Sequence, residues 1–388
     1  MKWMVPQEKL SPEQSEIMNK VGQTNNKPIW VQGHAGSGKS VVLLYALSDY
    51  LITNRNAKVA VVVFTHSLKD LLKGGLSQIP ALRNRNIPVL TVYQMNRNIE
   101  AGQKYDGIFC DEVQDLPIEF IRGMLQSSKQ LIIAGDSAQS IYDKDPNLRL
   151  PTASMQQINN EIKPDNHVLS LVFRLTKNVL NVLQNVFSSL LGSKTLIGKE
   201  NTDIRLFKAN SCVEEVEWVW KEAKLINTNR ASEVSAILFF KKDHILDFAN
   251  SVLQIENMPI WPEKTINKFG REQLDFNDLN NYLKEKNIPL IFVGNGYGSL
   301  DAAYRENRIV IMTYHSSKGL DFDAVFLPKI NSSILAASNP DALALVALSR
   351  SKRDLIITFT DEMSYTFKKF LKNVKVKSIN QSNNDILF

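Results

Sequence analysis

The sequence predicts an α/β protein built on mainly parallel sheets. β-type runs alternate with helical or polar segments, and at 28–47 a β-type run, a glycine-rich loop and an apolar helical run follow one another. Such alternation produces parallel strands joined by crossover helices. In the first part of the chain, the runs that we predict to be strands are 58–64, 89–93, 107–110 and 130–134.

The same alternation returns in the second half of the chain. The polar stretch 156–167 is interpreted as a linker, so the predicted domains are 1–168 and 169–388. The stretch 257–286 contains two prolines and many polar residues, and it predicts a small insert. Within the second domain we predict helices at 176–191, 213–226 and 243–255, and strands at 204–207, 234–240, 290–293, 309–313 and 355–359.

Composition is typical of a soluble globular protein, with 44% hydrophobic and 22% charged residues. We find neither a signal-peptide h-region nor an apolar run of about 18 residues, and therefore expect a cytoplasmic protein without a membrane span. Two cysteines, Cys110 and Cys212, leave little room for a disulfide framework or a zinc site, and we expect both to be buried thiols. The net charge of +6 suits a polyanionic partner without establishing one.

Residues 33–40, GHAGSGKS, match the phosphate-binding pattern G-x-x-x-x-G-K-[ST] at every fixed position. Glycines allow backbone N–H groups to converge on phosphate oxygens at a helix N-terminus, where the helix dipole favours anions. We expect the lysine to reach the β and γ phosphates of a nucleoside triphosphate and the last hydroxyl to be a Mg²⁺ ligand. The residues predicted to bind nucleotide here are Gly36, Ser37, Gly38, Lys39 and Ser40.

Two further runs follow apolar strands. In the first, DEVQD, Asp111 is expected to hold Mg²⁺ directly or through water, and Glu112 to orient and polarise the water that attacks the γ phosphate. The second run, GDSAQSIY at 135–142, presents Gln139, an uncharged side chain suited to sensing that phosphate. Because both runs follow strands of one parallel sheet, we expect them beside the phosphate-binding loop.

These motifs, in this order, resemble those of superfamily 1 helicases, most closely the UvrD/Rep-like group. The resemblance covers nearly the whole chain. It extends to LSPEQ at 10–14, similar to the adenine-reading Q motif, and to FTHS at 64–67 and TVY at 91–93, which stand at the first DNA-contacting motifs. In the second half it includes MTYHSSKGLDF at 312–322, similar to motif V, and ALSRS at 347–351, similar to motif VI.

The resemblance implies two RecA-like lobes, each a mainly parallel sheet flanked by helices, with the ATP site in the cleft between them. Gln14 would read adenine and Phe173 would stack on it, while Arg174 and Arg350 would act as arginine fingers at the γ phosphate. Gly319 and Asp321 of motif V would also line the ATP–Mg²⁺ site. The residues implied to contact single-stranded DNA are Phe64, Thr65, Thr91, Tyr93, Thr313 and His315.

The chain departs from the family pattern in two places. In close relatives the run corresponding to 135–142 continues into a tryptophan and an arginine that help to form a base pocket, whereas here DKDP follows at 143–146. Only residues 94–110 separate Tyr93 from Asp111, so the large insert of the first lobe has no room. The resemblance therefore implies ATP hydrolysis more directly than duplex unwinding.

Three functions remain open from the sequence. The first hypothesis is an ATP-dependent translocase on single-stranded DNA, or a DNA helicase, moving from 3′ to 5′. An alternative is a regulatory ATPase subunit that gates a partner such as a nuclease in repair or antiviral defence, and another is an RNA-directed motor of the same superfamily. The lysines near the C-terminus are interpreted as a solvated helix face; they are Lys368, Lys369, Lys372, Lys375 and Lys377.

Overall fold

The computed structural model describes residues 3–22, 26–173, 176–187, 203–231, 233–268, 271–331 and 339–380. These residues form two compact units, and the division falls between 175 and 176, a few residues beyond the predicted boundary. Both units are sheets flanked by helices, and the paired strands of each main sheet are parallel. The predicted fold class, two mainly parallel sheets with helical layers, is therefore confirmed.

The first unit has a six-stranded sheet in the order β3-β2-β4-β5-β1-β6. Alternate residues of a strand point to opposite faces, and apolar side chains of β2 enter two different core clusters, one on each face. Near-continuous apolar runs are typical of parallel strands covered on both faces. The strands are β1 Ile29–Gly33, β2 Val59–Val63, β3 Val89–Thr91, β4 Tyr105–Cys110, β5 Ser128–Gly135 and β6 Asp165–Leu169.

Helices cover this first sheet. The helix that follows the phosphate-binding pattern is apolar around most of its circumference, and most of its residues are buried in one core cluster. Helix bounds are Pro12–Gly22, Lys39–Thr53, His66–Gln78, Val92–Glu100, Ile118–Ser127 and Met155–Ile162, with short 3-10 turns at Gln7–Lys9, Val113–Asp115 and Ser137–Gln139.

The predicted linker at 156–167 is wrong, because these residues belong to the first unit. Ser154 and Gln157 form a capping box that starts the helix Met155–Ile162, and two isoleucines four positions apart bury its inner face. The chain then enters β6, which pairs with β1 at the edge of the sheet. Polar residues in this stretch face outward, which explains their resemblance to a linker.

The second unit has a seven-stranded sheet in the order β11-β12-β8-β13-β14-β7-β15. Its strands are β7 Asp203–Lys208, β8 Ser235–Phe239, β11 Leu290–Phe292, β12 Ile309–Thr313, β13 Phe322–Leu327, β14 Ser351–Phe359 and β15 Val376–Ser378. Its helices are Lys177–Val186, Cys212–Asn229, Lys242–Ile255, Phe276–Glu285, Leu300–Arg305, Tyr314–Ser317, Pro340–Leu348 and Tyr365–Lys368, and Lys369–Lys372 is a 3-10 turn.

The stretch 257–286 contains a separate antiparallel hairpin, β9 Thr265–Lys268 paired with β10 Arg271–Leu274. The helix Phe276–Glu285 follows it and packs Phe276 and Leu279 into the core of the second unit. The insert is therefore only partly separate, since its helix completes one face of the sheet.

Two smaller predictions have mixed outcomes. Cys110 is buried as expected, but Cys212 is exposed, because it is the first residue of a helix capped by Ser211. Near the C-terminus, Lys368 pairs with Glu362 and Lys369 with Asp341. Among the described residues, no helix has the length and apolar character needed to cross a bilayer.

Candidate functional site

The phosphate-binding pattern forms a turn between β1 and the helix Lys39–Thr53. Gly36 and Gly38 have φ angles of 79° and 86°, in the left-handed region that favours glycine. The Lys39 ammonium donates to the backbone oxygens of Gly33 at 2.8 Å and His34 at 3.2 Å. The lysine thus closes the turn from within and keeps its ammonium at the start of the helix.

Gln14 lies against this turn. Its Nε2 donates to the Ser37 carbonyl at 3.0 Å, and its Oε1 accepts from the Ser11 N–H at 2.9 Å. A Cβ at Gly38 would lie only 2.5 Å from Nε2, so glycine is required for this close approach. The structure therefore brings Gln14 to the turn, with both ends of its amide bonded to protein.

Asp111 follows β4 and meets the first turn of the helix after the loop. Its Oδ2 accepts from the Ser40 hydroxyl at 2.5 Å and its Oδ1 from the Glu112 N–H at 2.9 Å. Burial, followed by the nearby charge of Glu112, raises the pKa of Asp111 to about 6, against the opposing effects of Ser40 and Lys39. The two predicted Mg²⁺ ligands, Ser40 and Asp111, are thus in direct contact.

Glu112 has φ 59° and ψ 41°, a left-handed conformation that is costly for a residue with a side chain. Its Oε2 accepts a short hydrogen bond from Nε2 of Gln114. The Gln114 Oε1 accepts from the Asp136 N–H at 3.0 Å, and Asp136 in turn accepts from Nε2 of Gln139 at 2.7 Å. The predicted residues Glu112 and Gln139 are therefore connected through Gln114 and Asp136, to which the sequence analysis assigned no role.

Phe173 belongs to the first unit, although the predicted boundary had assigned it to the second. Its backbone N–H donates to the Gly36 carbonyl at 2.9 Å, and its side chain is half-buried. The structure thus brings Phe173 to the phosphate-binding turn, and its stacking on adenine stays a prediction. Arg174 lies outside the described residues.

The nucleic-acid residues predicted in the first unit follow β2 and β3. Thr65 and Thr91 cap helices, accepting from the backbone N–H groups of Leu68 and Gln94. Both hydroxyls are thus engaged in starting a helix, a structural role that the sequence had not separated from DNA contact.

Phe64 and Tyr93 form an aromatic cluster with Tyr142. The Phe64 ring centroid lies 5.1 Å from that of Tyr142 and 6.3 Å from that of Tyr93. Burial and then the neighbouring Asp145 raise the pKa of Tyr93, whose hydroxyl donates to that carboxylate. Thus the run 135–142 ends against residues predicted to contact DNA.

In the second unit, Thr313 ends β12 and caps the short helix Tyr314–Ser317, accepting from the Ser316 N–H at 3.2 Å. His315 is in the same helix, and burial lowers its pKa. Gly319, at φ 78°, and the half-buried Asp321 follow in the turn before β13. Thr313 and His315 therefore follow the carboxyl end of β12, whereas Gly319 and Asp321 precede the amino end of β13, at the opposite edge of this parallel sheet.

Arg350 bonds to protein within the second unit. Its Nε donates to the Val346 carbonyl at 2.7 Å, Nη1 to the Leu320 carbonyl at 3.0 Å, and Nη2 to the Ser349 hydroxyl at 2.8 Å. The Arg350 carbonyl also accepts from the Phe322 N–H. These hydrogen bonds hold the motif V and motif VI segments together. In this conformation the Arg350 guanidinium bonds to protein groups of the second unit.

Two family models match the chain. A model described as an AAA domain matches residues 14–145, which include the loop 33–40 and Glu112. A model described as the UvrD-like helicase C-terminal domain matches residues 296–362, which include Thr313 and Arg350.

Curated relatives are similar over a shorter stretch. A probable DNA helicase II homolog of Rickettsia felis and the DNA helicase II of Rickettsia typhi are each 26% identical over 112 residues. The match covers 25% of this chain and 16% of each relative, so the chain spans less than one fifth of the length of these curated relatives.

Similar solved structures include the arterivirus nonstructural protein 10 helicase, with a TM-score of 0.43, 13% identity, and coverage of 92% of this chain and 64% of that one. A complex of the arterivirus protein with DNA has a TM-score of 0.42 and 13% identity, covering 91% and 65%.

Proposed function

We propose that this chain, a member of the UvrD/Rep-like group of superfamily 1 helicases, hydrolyses ATP and moves from 3′ to 5′ along single-stranded DNA. The observation that carries the proposal is the contact of Ser40 with Asp111, beside Glu112, at the end of a glycine turn. A hydroxyl, a carboxylate and a candidate base for water activation thus meet where backbone N–H groups and a helix N-terminus attract phosphate.

The turn 33–40 suits the triphosphate of ATP. In the proposed complex the Lys39 ammonium exchanges the Gly33 and His34 carbonyls for phosphate oxygens, while N–H groups of residues 36–38 donate to the same anion. Phe173 is the proposed stacking partner of the base, and its backbone N–H bond to the Gly36 carbonyl supports this role.

Ser40 and Asp111 are oxygen ligands suited to Mg²⁺. The described residues contain no cluster of three or more histidines, cysteines and acids, and Mg²⁺ typically takes one or two protein ligands together with substrate phosphates. Burial, followed by the charge of Glu112, raises the pKa of Asp111, and a bound cation would oppose both effects. When bound, Mg²⁺ neutralises charge on the β and γ phosphate oxygens.

Glu112 is the proposed base that orients the attacking water and accepts its proton, and Gln139 the residue that senses the γ phosphate. Arg174 and Arg350 are the proposed arginine fingers, with Gly319 and Asp321 near the same nucleotide. Arg350 must exchange its bonds to Val346 and Leu320 to reach a phosphate.

A displacement assay tests movement on DNA. Streptavidin is bound to a biotin at the 5′ or the 3′ end of an oligonucleotide, and its release is followed with ATP present. The proposal predicts faster release from the 5′ end, and no acceleration by Lys39→Ala. Equal, unaccelerated release from both ends by an active ATPase would contradict translocation.

The loop at 143–146 supports a second candidate function, that of a regulatory ATPase subunit that gates a partner such as a nuclease. Asp145 accepts a hydrogen bond from Tyr93 and so holds this loop in place. In the family pattern this position carries the tryptophan and arginine that help to form a base pocket. Failure of the isolated chain to unwind a duplex with a 3′ tail, together with recovery of unwinding or nuclease control in a co-purified complex, would favour that candidate. Stimulation of ATP turnover by RNA rather than DNA would favour the RNA-directed motor.

A further inference from the structure

Gln114 occupies a buried position between Glu112 and the turn that follows β5. Only 2% of Gln114 is exposed. Its amide N–H bonds to the Glu112 carboxylate, and its amide oxygen accepts from the Asp136 backbone at 3.0 Å. Because one end of an amide only donates and the other only accepts, these two partners fix a single orientation of the Gln114 side chain.

The Gln114 amide packs against the backbone of Gly135, where there is no space for a side chain. A Cβ there would lie 2.7 Å from Oε1 of Gln114 and 2.8 Å from Cγ1 of Val113. Contacts this short force a neighbour to move. The end of β5 and the Gln114 amide therefore pack as one unit, and displacement of either one displaces the other.

Asp136 continues the connection. Its Oδ1 accepts from the Ala138 N–H at 3.0 Å and its Oδ2 from the Gln139 amide at 2.7 Å. Further along the chain, Tyr142 packs on Phe64, a proposed DNA contact. Hydrogen bonds thus connect Glu112 to the segment that ends on the proposed DNA surface.

We infer that Gln114 is a positioning residue for hydrolysis: it holds the Glu112 carboxylate toward the water and ties that orientation to the position of the turn 135–139. This inference rests on the proposed function. The left-handed backbone of Glu112 is uncommon for a residue with a side chain. The hydrogen bond from Gln114 restricts the Glu112 carboxylate to one of its accessible orientations. DNA that moves the 135–142 run would act on hydrolysis through this bond.

Two substitutions separate the contacts of Gln114. Gln114→Glu keeps the acceptor for Asp136 but replaces the donor to Glu112 by a carboxylate, whereas Gln114→Met removes both bonds at similar volume. We expect either change to lower kcat for ATP about 10- to 100-fold with KM within about threefold. Gln157→Glu makes the same chemical change in an exposed capping box and should leave kcat unchanged.

A double-mutant cycle distinguishes positioning from support of the fold. If Gln114 acts through Glu112, then adding Gln114→Met to Glu112→Gln lowers kcat by less than about twofold. Multiplication of the two separate effects would overturn the inference. Thermal melts identify variants that fail to fold, and Gly135→Ala, which displaces the amide from the opposite side, then replaces the Gln114 variants.

Failure of this inference is distinguishable from failure of the proposed function. Wild-type protein without DNA-stimulated hydrolysis would refute the function itself. Normal wild-type hydrolysis, with folded Gln114 or Gly135 variants that keep wild-type kcat and DNA stimulation, would refute only the positioning role.

Discussion

The Tyr93 hydroxyl donates to the Asp145 carboxylate at 2.6 Å and fastens the loop after the 135–142 run to the start of a helix. Asp145 is fully buried, and its other oxygen accepts from the backbone of Asn147 and Leu148. The loop that replaces the family's tryptophan and arginine is therefore held against a residue proposed to contact DNA. If Tyr93 contacts DNA as proposed, it does so through its ring, because its hydroxyl donates to Asp145.

Tyr93→Phe should destabilise the protein, because it leaves a buried carboxylate oxygen without its donor. We expect a loss of about 1–3 kcal/mol in the free energy of unfolding, measured by urea denaturation. Tyr45→Phe is the matched control: its hydroxyl donates to the Val5 carbonyl at 2.8 Å, and loss of a neutral bond should cost about 1 kcal/mol. A smaller loss at Tyr93 than at Tyr45 would show that the Asp145 contact contributes little.

Gln14→Ala should weaken ATP and GTP binding by the same factor, about fivefold, because the amide supports the Ser37 carbonyl of the phosphate-binding turn. Equilibrium binding of fluorescent ATP and GTP analogues measures both affinities. Gln32→Ala, which removes an exposed amide bonded to Asn166, is the control. Loss of ATP binding alone would instead support adenine reading by Gln14.

Glu112→Gln and Lys39→Ala should separate hydrolysis from binding. The first removes the proposed base but leaves the phosphate-binding turn, so turnover should fall about 10²- to 10⁴-fold while ATP binding persists. The second removes the ammonium and should weaken ATP binding itself. Filter binding and phosphate release measure the two quantities, and wild-type turnover in Glu112→Gln would refute its role.

Glu215→Gln should stabilise the second unit at neutral pH. Burial raises the pKa of Glu215, against weaker lowering by Thr358 and the Lys329 N–H, and its Oε2 has no hydrogen-bond partner within the described part of the chain. Because the folded protein holds this proton more tightly than the unfolded chain, wild-type stability falls as pH rises above about 4.5.

Thermal melts from pH 4 to pH 8 test this dependence on Glu215. The advantage of Glu215→Gln should be absent near pH 4, grow as the pH rises and then become constant. Glu217→Gln, an exposed change on the same helix, controls for loss of a charge. An advantage of the same size at pH 4 and pH 8 would contradict the stated cause.

Local sequence patterns predicted the parts of the site that depend on neighbours along the chain. The loop 33–40 and the acids after β4 were identified because their spacing and the flanking apolar runs are sufficient to place them. The link from Gln114 to Asp136 was not predicted, because it depends on two strands being adjacent. The bond from Arg350 to the Leu320 carbonyl was missed for the same reason, since β13 and β14 are adjacent strands.

The error at 156–167 has a different cause. Ser154 and Gln157 form a capping box, which marks the start of a helix. The stretch contains many polar residues and only two isoleucines on its buried face, so its composition resembled that of a linker. β6 was missed because an edge strand with one solvated face contains few apolar residues.

The rate of ATP hydrolysis with and without single-stranded DNA is the direct test of whether this chain is a DNA-dependent motor. Steady-state phosphate release is measured at saturating ATP and Mg²⁺ while oligo(dT) is added, at several salt concentrations because phosphate contacts are salt-dependent. We expect a saturable rise in kcat as DNA is added, a weaker apparent affinity for DNA at higher salt, and no rise in Glu112→Gln. A wild-type rate unchanged by DNA at every salt concentration would contradict this expectation.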